Sequence, residues 1–173
     1  MSRHAAPRGD AEAGGAARRA RPAAPVPVVE MPGHLLRRCQ QIAVSIFLQE
    51  AREFDLTPLQ YAVLATLDQH GALDQGRLGG LTALDRTTIG VVIAKLEGRG
   101  LVARRRAEAD RRFNAVTCTE AGRALLHRAE AAVATAQERI LAPLAAGERR
   151  QFLGYLRRIA EENNDESRAP HRP

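Results

Sequence analysis

Apolar residues recur at helical spacing over most of the chain from Gly33 onward. In the first such segment, Leu35, Cys39, Ile42 and Ile46 form one stripe, and a second apolar stripe lies beside it. A helix that is apolar over so wide an arc is buried from more than one side. Because the chain has only 173 residues, the pattern predicts that a second subunit covers part of this helix.

Residues that favour helix starts mark the segments that follow. Thr57 is expected to cap a second helix, because its hydroxyl can accept a backbone hydrogen bond. Pro58 then takes the first helical position, where the missing N–H has no cost. Asp74, Asp85 and Thr119 stand in the same position before a short third helix, a fourth helix and a long fifth helix.

The chain changes its pattern after the fourth helix, which Gly98 and Gly100 are expected to end. Residues 101–103 and 113–117 favour strands and flank the charged segment 104–112, which is typical of a β-hairpin with a charged tip. The fourth helix itself has its apolar residues at positions i, i+3, i+4 and i+7, namely Ile89, Val92, Ile93 and Leu96.

The ends of the chain differ from this periodic part. Residues 1–32 are rich in Ala, Pro, Gly and Arg, which predicts a disordered basic tail. Pro143 and Gly147 are expected to separate the fifth helix from a sixth, and residues 163–173 are expected to form a frayed tail. The sequence therefore predicts one domain, residues 33–162, that is mainly α with a small β-hairpin.

Composition and charge indicate the kind of partner. Apolar residues make up 45% of the chain but aromatic residues only 3%, which suits packed helices with aliphatic side chains. The formal net charge of +6 favours a polyanionic partner, with nucleic acid as the first choice. Charged residues interrupt every long apolar stretch, so we expect no membrane-spanning helix.

The cysteines and histidines give little sign of a chemical site. Cys39 and Cys118 are far apart without CxxC spacing, and no secretory signal precedes them, so we expect reduced thiols in a cytoplasmic protein. Cys39 lies on an apolar stripe and is predicted to be a buried structural thiol; oxidant sensing through Cys39 is the alternative. The five histidines are scattered, and no catalytic motif is found, so the sequence predicts no metal, no cofactor and no enzyme.

The third helix, the capped fourth helix and the basic hairpin together predict a winged helix-turn-helix. In such a unit the second helix lies in the major groove and its first residues contact base edges, while arginines of a hairpin can enter the minor groove. The predicted contacts with double-stranded DNA are Arg86, Thr87, Thr88, Val91 and Lys95 on the helix, with Arg104, Arg106, Arg111 and Arg112 on the hairpin.

Five motifs in order give the chain from about His34 to Ala160 a resemblance to the MarR family of bacterial regulators. Each motif alone is weak, but their common order is specific. They are residues 56–61 (LTPLQY), 84–88 (LDRTT), 96–102 (LEGRGLV) and 110–112 (DRR), and Thr117 with residues 119–122 (TEAG).

The resemblance implies a homodimer whose interface is formed by the first, fifth and sixth helices, residues 33–52 and 119–162. The winged helix-turn-helix would then be residues 55–118, with Arg111 or Arg112 in the minor groove. Two-fold symmetry implies a pseudo-palindromic operator with half-sites about 34 Å apart. The protein would be associated with the nucleoid when it is bound to DNA.

Family members often bind a small aromatic acid between the dimerisation region and the DNA-binding lobe. The candidate ligand-binding residues are His34, Arg38, Gln41 and Tyr61, because Arg or His can pair a carboxylate and Gln or Tyr can bond a ring substituent. The alternative is that each is a polar residue of the surface or the dimer interface. Residues 34–43 are similar to the first helix of regulators of nicotinate degradation, which implies a repressor of a catabolic operon with a small aromatic carboxylate such as 6-hydroxynicotinate as its effector.

A protein of another class remains an alternative to the DNA-binding regulator. Winged helices also serve as protein-association modules without DNA binding. Such a module needs no DNA contacts. It would not require Arg86, Thr87 and Lys95 on the fourth helix together with arginines on the hairpin. The sequence therefore favours the transcriptional regulator.

Overall fold

The computed structural model of the protein describes residues 26–107 and 110–172, without the side chains of residues 105–107 and 110–114. The predicted N-terminal tail, residues 1–32, lies mostly outside the described residues. Within them the chain is mainly helical with one small sheet, as the sequence predicts. The helices are α1 (Pro32–Glu50), α2 (Pro58–His70), α3 (Gln75–Thr82), α4 (Arg86–Gly98), α5 (Glu120–Leu141) and α6 (Ala146–Glu162); the strands are β1 (Leu73–Asp74), β2 (Val102–Ala107) and β3 (Asp110–Cys118).

The helix starts agree with the capping residues predicted from sequence. The Thr57 hydroxyl accepts a hydrogen bond from the Gln60 N–H at 3.3 Å, and the Gln60 side chain accepts one from the Thr57 N–H at 2.9 Å. This reciprocal pair is a capping box, which satisfies two backbone donors at the start of α2. Asp74 and Thr119 likewise accept hydrogen bonds from backbone N–H groups in the first turns of α3 and α5.

The sheet is larger than the sequence predicted. Its strand order is β1-β3-β2, and both pairings are antiparallel. The two long strands continue pairing through Arg104–Arg106 to Ala107 opposite Asp110, whereas residues 104–112 were expected to form a charged loop. The expectation was wrong because a strand ladder is made by backbone groups, so a run of charged residues does not end it. The two-residue strand β1 was not predicted.

One hydrophobic core joins the helix-turn-helix to the sheet and to the inner sides of α1 and α5. Because the aromatic content is low, this core is built mainly from aliphatic side chains, with Phe47 and Phe54 as its buried aromatic residues. The largest fully buried members are Val63, Leu64, Leu67, Leu78, Ile89, Ile93, Leu96 and Val116.

The apolar sides of α1 and α6 are not covered within one chain. Ile42 is 52% exposed and Ile159 is 50% exposed, although both lie on apolar stripes. Cys39 is also exposed, so its prediction as a buried thiol is wrong for the single chain. Within one chain the buried residue of α1 is Phe47, about two helical turns after Cys39.

The sixth helix and the C-terminal segment differ from expectation. Gly147 lies inside α6 instead of separating the two helices, and the break falls between Leu141 and Ala146. Residues 163–172 are not frayed. They form a short 3-10 turn, Asn164–Glu166, and fold back until the Arg172 N–H donates a hydrogen bond to the Gly80 carbonyl at 3.2 Å.

Residues 26–107 and 110–172 contain neither a membrane-spanning helix nor a metal-binding cluster. No helix in these ranges is long and apolar enough to cross a membrane. No group of three or more His, Cys, Asp or Glu side chains in them is arranged to hold a metal ion.

Candidate nucleic-acid interface

A tight turn between α3 and α4 sets the geometry of the helix-turn-helix. Ala83 adopts the left-handed conformation with φ 52°, and the Leu84 N–H donates to the Gly79 carbonyl at 2.9 Å. A Cβ at Gly79 would lie 2.9 Å from the Leu84 carbonyl oxygen and 3.5 Å from Ile89 Cγ2. The absence of a side chain at Gly79 therefore allows α4 to pack closely against α3.

Asp85 fixes the first turn of α4. Its Oδ1 accepts from the N–H groups of Thr87 and Thr88, each at 3.0 Å, and its Oδ2 accepts from the Thr88 hydroxyl at 2.7 Å. The backbone and side-chain hydrogen bonds of Thr88 hold the pKa of the Asp85 carboxyl below its ordinary value, with smaller help from Thr87 N–H and the charge of Arg168. Because the Thr88 hydroxyl donates within the protein, it positions the helix start and has no proton left to donate to a phosphate.

We expect Asp85→Ala to lower both the urea midpoint of unfolding and the affinity for DNA at pH 7. The folded-state pKa of Asp85 is lowered, so its contribution to stability is present above the unfolded value of about 3.9 and is lost as the pH falls through the folded value. The difference in urea midpoint between the parent protein and Asp85→Ala should therefore decrease below about pH 3.9. Asp85→Asn is the control, since it keeps an acceptor but loses the charge. Equal midpoints of parent and Asp85→Ala at pH 7 would contradict the capping role.

The side of α4 that faces away from the core carries the predicted DNA contacts. Arg86, Thr87 and Lys95 are exposed, and Val91 is 51% exposed. A branched apolar side chain at the centre of a polar helix face suits contact with a thymine methyl group. The opposite side of the same helix is buried by Ile89, Val92, Ile93 and Leu96, as the sequence predicted.

The hairpin carries the remaining predicted contacts beside α4. Arg104 is exposed on β2, and its Nε lies 3.4 Å from Glu97 Oε2 at the end of α4. An exposed pair of this kind contributes about 0.2–1 kcal/mol, so it orients the arginine more than it stabilises the fold. Arg106 lies on β2, and Arg111 and Arg112 lie on β3; their side chains are outside the described atoms.

A cleft of about 440 Å³ brings the helix and the hairpin together. Arg86 and Arg104 line it, together with Asp74 and Gln75 at the start of α3. Gln75 was not singled out from the sequence. Its Nε2 donates to the Arg86 carbonyl at 3.4 Å and lies beside Gly90, so it links the starts of the two helices. Its place directly after the capping residue Asp74 is the signal that could have identified it.

The predicted ligand-binding residues are only partly brought together. On α1, Arg37 Nη1 donates to Gln41 Oε1 at 3.2 Å, and Arg37 Nη2 lies 3.5 Å from His34 Nδ1, while Arg38 is exposed. These contacts make Arg37, which was not among the predicted ligand residues, the arginine that joins His34 to Gln41.

Tyr61, the fourth predicted ligand residue, lies on α2 against a different part of α1. It packs edge-on against Phe47 with ring centroids 6.1 Å apart, and burial, then the charge of Glu130, raises the pKa of its hydroxyl. Phe47 follows His34 by three and a half helical turns, roughly 20 Å of helix. One chain therefore does not bring His34 and Tyr61 into one compact pocket.

The match to known families falls on this helix-turn-helix and wing. Residues 56–113 match the model of the MarR family. The chain is 36% identical to the HTH-type transcriptional repressor NicR of Pseudomonas putida over 141 residues, which cover 82% of this chain and 89% of NicR.

Solved structures agree in fold and extent. The chain is similar to BpsR of Bordetella bronchiseptica, a protein whose DNA binding is regulated by 6-hydroxynicotinic acid, with 34% identity, a TM-score of 0.75, and coverage of 79% of this chain and 98% of BpsR. It is also similar to the transcriptional repressor CouR bound to a 23-mer DNA duplex, with 34% identity, a TM-score of 0.71, and coverage of 77% of this chain and 94% of CouR.

Proposed function

The chain belongs to the MarR family of transcriptional regulators, and from this we propose that it is a sequence-specific repressor on double-stranded DNA and not an enzyme. The observation that carries the proposal is the exposed face of α4. Arg86, Thr87, Val91 and Lys95 face outward there, while the other face of the helix is fixed in the core. Such a helix offers charge to phosphates and both polar and apolar groups to base edges.

The proposed DNA-binding unit is a homodimer formed through α1, α5 and α6. The exposed apolar residues of α1 and α6 support this, because contiguous apolar surface on a folded chain marks an interaction site. A two-fold dimer places its two α4 helices against successive major grooves. Its operator is then pseudo-palindromic, with half-site centres about 34 Å apart.

The proposed effector is a small aromatic carboxylate, with 6-hydroxynicotinate as the first candidate and an operon for the degradation of an N-heteroaromatic acid as the target. The similarity to BpsR and NicR supports this choice. On α1, the Arg37, His34 and Gln41 cluster supplies a cation and amide groups suited to a carboxylate and a ring hydroxyl. A ligand releases DNA only if it binds the DNA-free conformation more tightly than the DNA-bound one.

Fluorescence anisotropy with labelled DNA from the upstream region of the protein's own gene tests the proposal. Salt is titrated with and without 6-hydroxynicotinate, and a scrambled duplex of equal length is the control. Tight, salt-dependent binding that is released by the ligand would support both the proposed DNA-binding regulator and 6-hydroxynicotinate as its effector. Tight binding that does not change when the ligand is added would support the proposed regulator but contradict the proposed effector. Binding no tighter than to the scrambled duplex would favour the protein-association module.

We expect Arg38→Ala to lose the response to 6-hydroxynicotinate while DNA affinity stays within about twofold of the parent. The reason is that the guanidinium of Arg37 already contacts Gln41 and His34, whereas the neighbouring Arg38 is exposed on α1 and offers its guanidinium to the carboxylate. The measurement is the ligand concentration that releases half of the bound DNA. Arg52→Ala, which removes an exposed arginine of the turn after α1, is the matched control. An unchanged half-release concentration in Arg38→Ala would remove Arg38 from the pocket.

A further inference from the structure

The C-terminal segment, residues 163–172, is held in a closed loop after α6. The Asn164 side chain bonds the backbone of His171 twice: its Nδ2 donates to the carbonyl at 3.3 Å, and its Oδ1 accepts from the N–H at 2.8 Å. Ser167 closes the loop further, because its hydroxyl accepts from the Ala169 N–H at 3.1 Å. The loop therefore has a defined shape set by its own polar groups.

This loop lies against the turn of the helix-turn-helix. The Arg172 N–H donates to the Gly80 carbonyl of α3 at 3.2 Å, and the Arg172 Cβ lies 3.4 Å from where a Cβ of Gly80 would stand. Ala83, in the turn itself, lines one cavity of about 580 Å³ with Ala169 and His171 of the loop. The segment thus ends next to the residues that precede α4.

Two arginines of the loop are placed at this docked end. Arg168 and Arg172 are both exposed, and Arg168 lies between Ser167 and Ala169, which line the cavity with Ala83. The charge of Arg168 helps to lower the pKa of the Asp85 carboxyl at the start of α4. The acidic residues Asp165 and Glu166 lie instead on the 3-10 turn next to α6. The positive and negative charges cancel over the segment. The two arginines, however, lie at its docked end, next to the turn that precedes α4.

We propose that the docked C-terminal segment is a third DNA-contacting element, in which Arg168 and Arg172 bind backbone phosphates beside the start of α4. This inference rests on the proposed DNA-binding function and extends its interface. When the first residues of α4 enter the major groove, groups next to the α3–α4 turn face the phosphates at the groove edge. Guanidinium groups suit phosphate oxygens, since they donate two hydrogen bonds in a fixed geometry.

The geometry allows the contact to be tested without undocking the segment. Arg172 docks through its backbone N–H, so Arg172→Gln leaves that hydrogen bond in place. Arg168→Gln removes the other guanidinium, and the double variant combines the two Gln substitutions. Arg168→Lys keeps the positive charge at position 168. Arg52→Gln removes an exposed arginine of the 3-10 turn after α1, outside the helices of the proposed dimer interface, and is the matched control.

The measurement is the DNA affinity of the full chain as a function of salt concentration, on labelled DNA from the upstream region of the protein's own gene. Each lost phosphate contact is expected to reduce the slope of log K against log salt by about 0.9, roughly an eightfold loss of affinity at 0.1 M salt if affinity at 1 M is unchanged. Arg168→Lys and Arg52→Gln should keep the parent slope. If the parent binds specifically but Arg168→Gln, Arg172→Gln and the double variant all keep its slope, the inference is wrong and the proposed function stands. If the parent itself binds no tighter than to the scrambled duplex, both are wrong.

Discussion

Replacing Gly122 with Ala is expected to destabilise the fold by about 3 kcal/mol, at the upper end of the cost of overpacking. A methyl group at Gly122 would overlap the Leu101 carbonyl oxygen and would lie 2.8 Å from Cys118 Sγ. The Leu101 carbonyl cannot move away without loss, because it accepts the Thr119 N–H at 3.0 Å and lies 3.0 Å from the Thr119 hydroxyl. The substitution therefore forces apart the start of α5 and the start of β2.

Urea unfolding at a fixed protein concentration measures this effect, since a dimer's stability depends on concentration. For a chain of this size, about 3 kcal/mol corresponds to a fall in Tm of roughly 6–12 °C. Gly98→Ala is the matched control, because nothing lies within 4 Å of a Cβ at the end of α4. We expect that control to unfold within about 1 kcal/mol of the parent. A Gly122→Ala protein with the parent's midpoint would show that the α5–β2 junction tolerates a side chain.

The sequence predicted best those features that depend on neighbouring residues. Thr57, Asp74, Asp85 and Thr119 cap the helices they were expected to cap, because a cap is decided by one side chain and the next three backbone N–H groups. The buried side of α4 follows from spacing alone. The presence and order of the helix-turn-helix and the hairpin were therefore predictable.

Features that depend on distant parts of the chain were missed. Strand β1 has two residues, and it exists only because Leu73 and Asp74 pair with Val116 and Ala115, more than forty residues later. The docking of Arg172 on Gly80 is likewise a contact between segments far apart in sequence. No periodicity or composition marks such contacts, since neither short segment has a pattern of its own.

The candidate ligand site was predicted only as a set of residue types. Spacing placed His34, Arg38 and Gln41 on one side of α1, and Arg37 was not among the predicted ligand residues. The structure joins Arg37 to His34 and Gln41, because residues three and four apart on a helix meet on its surface. The burial of Cys39 was misjudged for a related reason: an apolar stripe indicates that a helix face is covered, but not by which chain.

Replacing Ile159 with Glu is expected to weaken the proposed dimer by at least a thousandfold and to abolish specific DNA binding. Ile159 is 50% exposed within one chain, so the substitution leaves the core of the subunit unchanged. In a dimer formed through α6 it would bury two carboxylates, at a cost of at least about 2 kcal/mol each, and about 4 kcal/mol is roughly a thousandfold in Kd. A monomer holds one α4 only, so it loses the second half-site of the operator.

Sedimentation velocity over a range of protein concentrations measures the dimer, and anisotropy on the same samples measures DNA binding. Ile42→Glu makes the same test on α1, where Ile42 is 52% exposed. Leu59→Glu is the matched control, because Leu59 is 40% exposed on α2, outside the proposed interface. We expect it to remain a dimer. If Ile159→Glu and Ile42→Glu both sediment as the parent does, the apolar faces of α1 and α6 are not the dimer interface. If they become monomers but still bind DNA with the parent's affinity, the second half-site contributes nothing and the pseudo-palindromic operator is wrong.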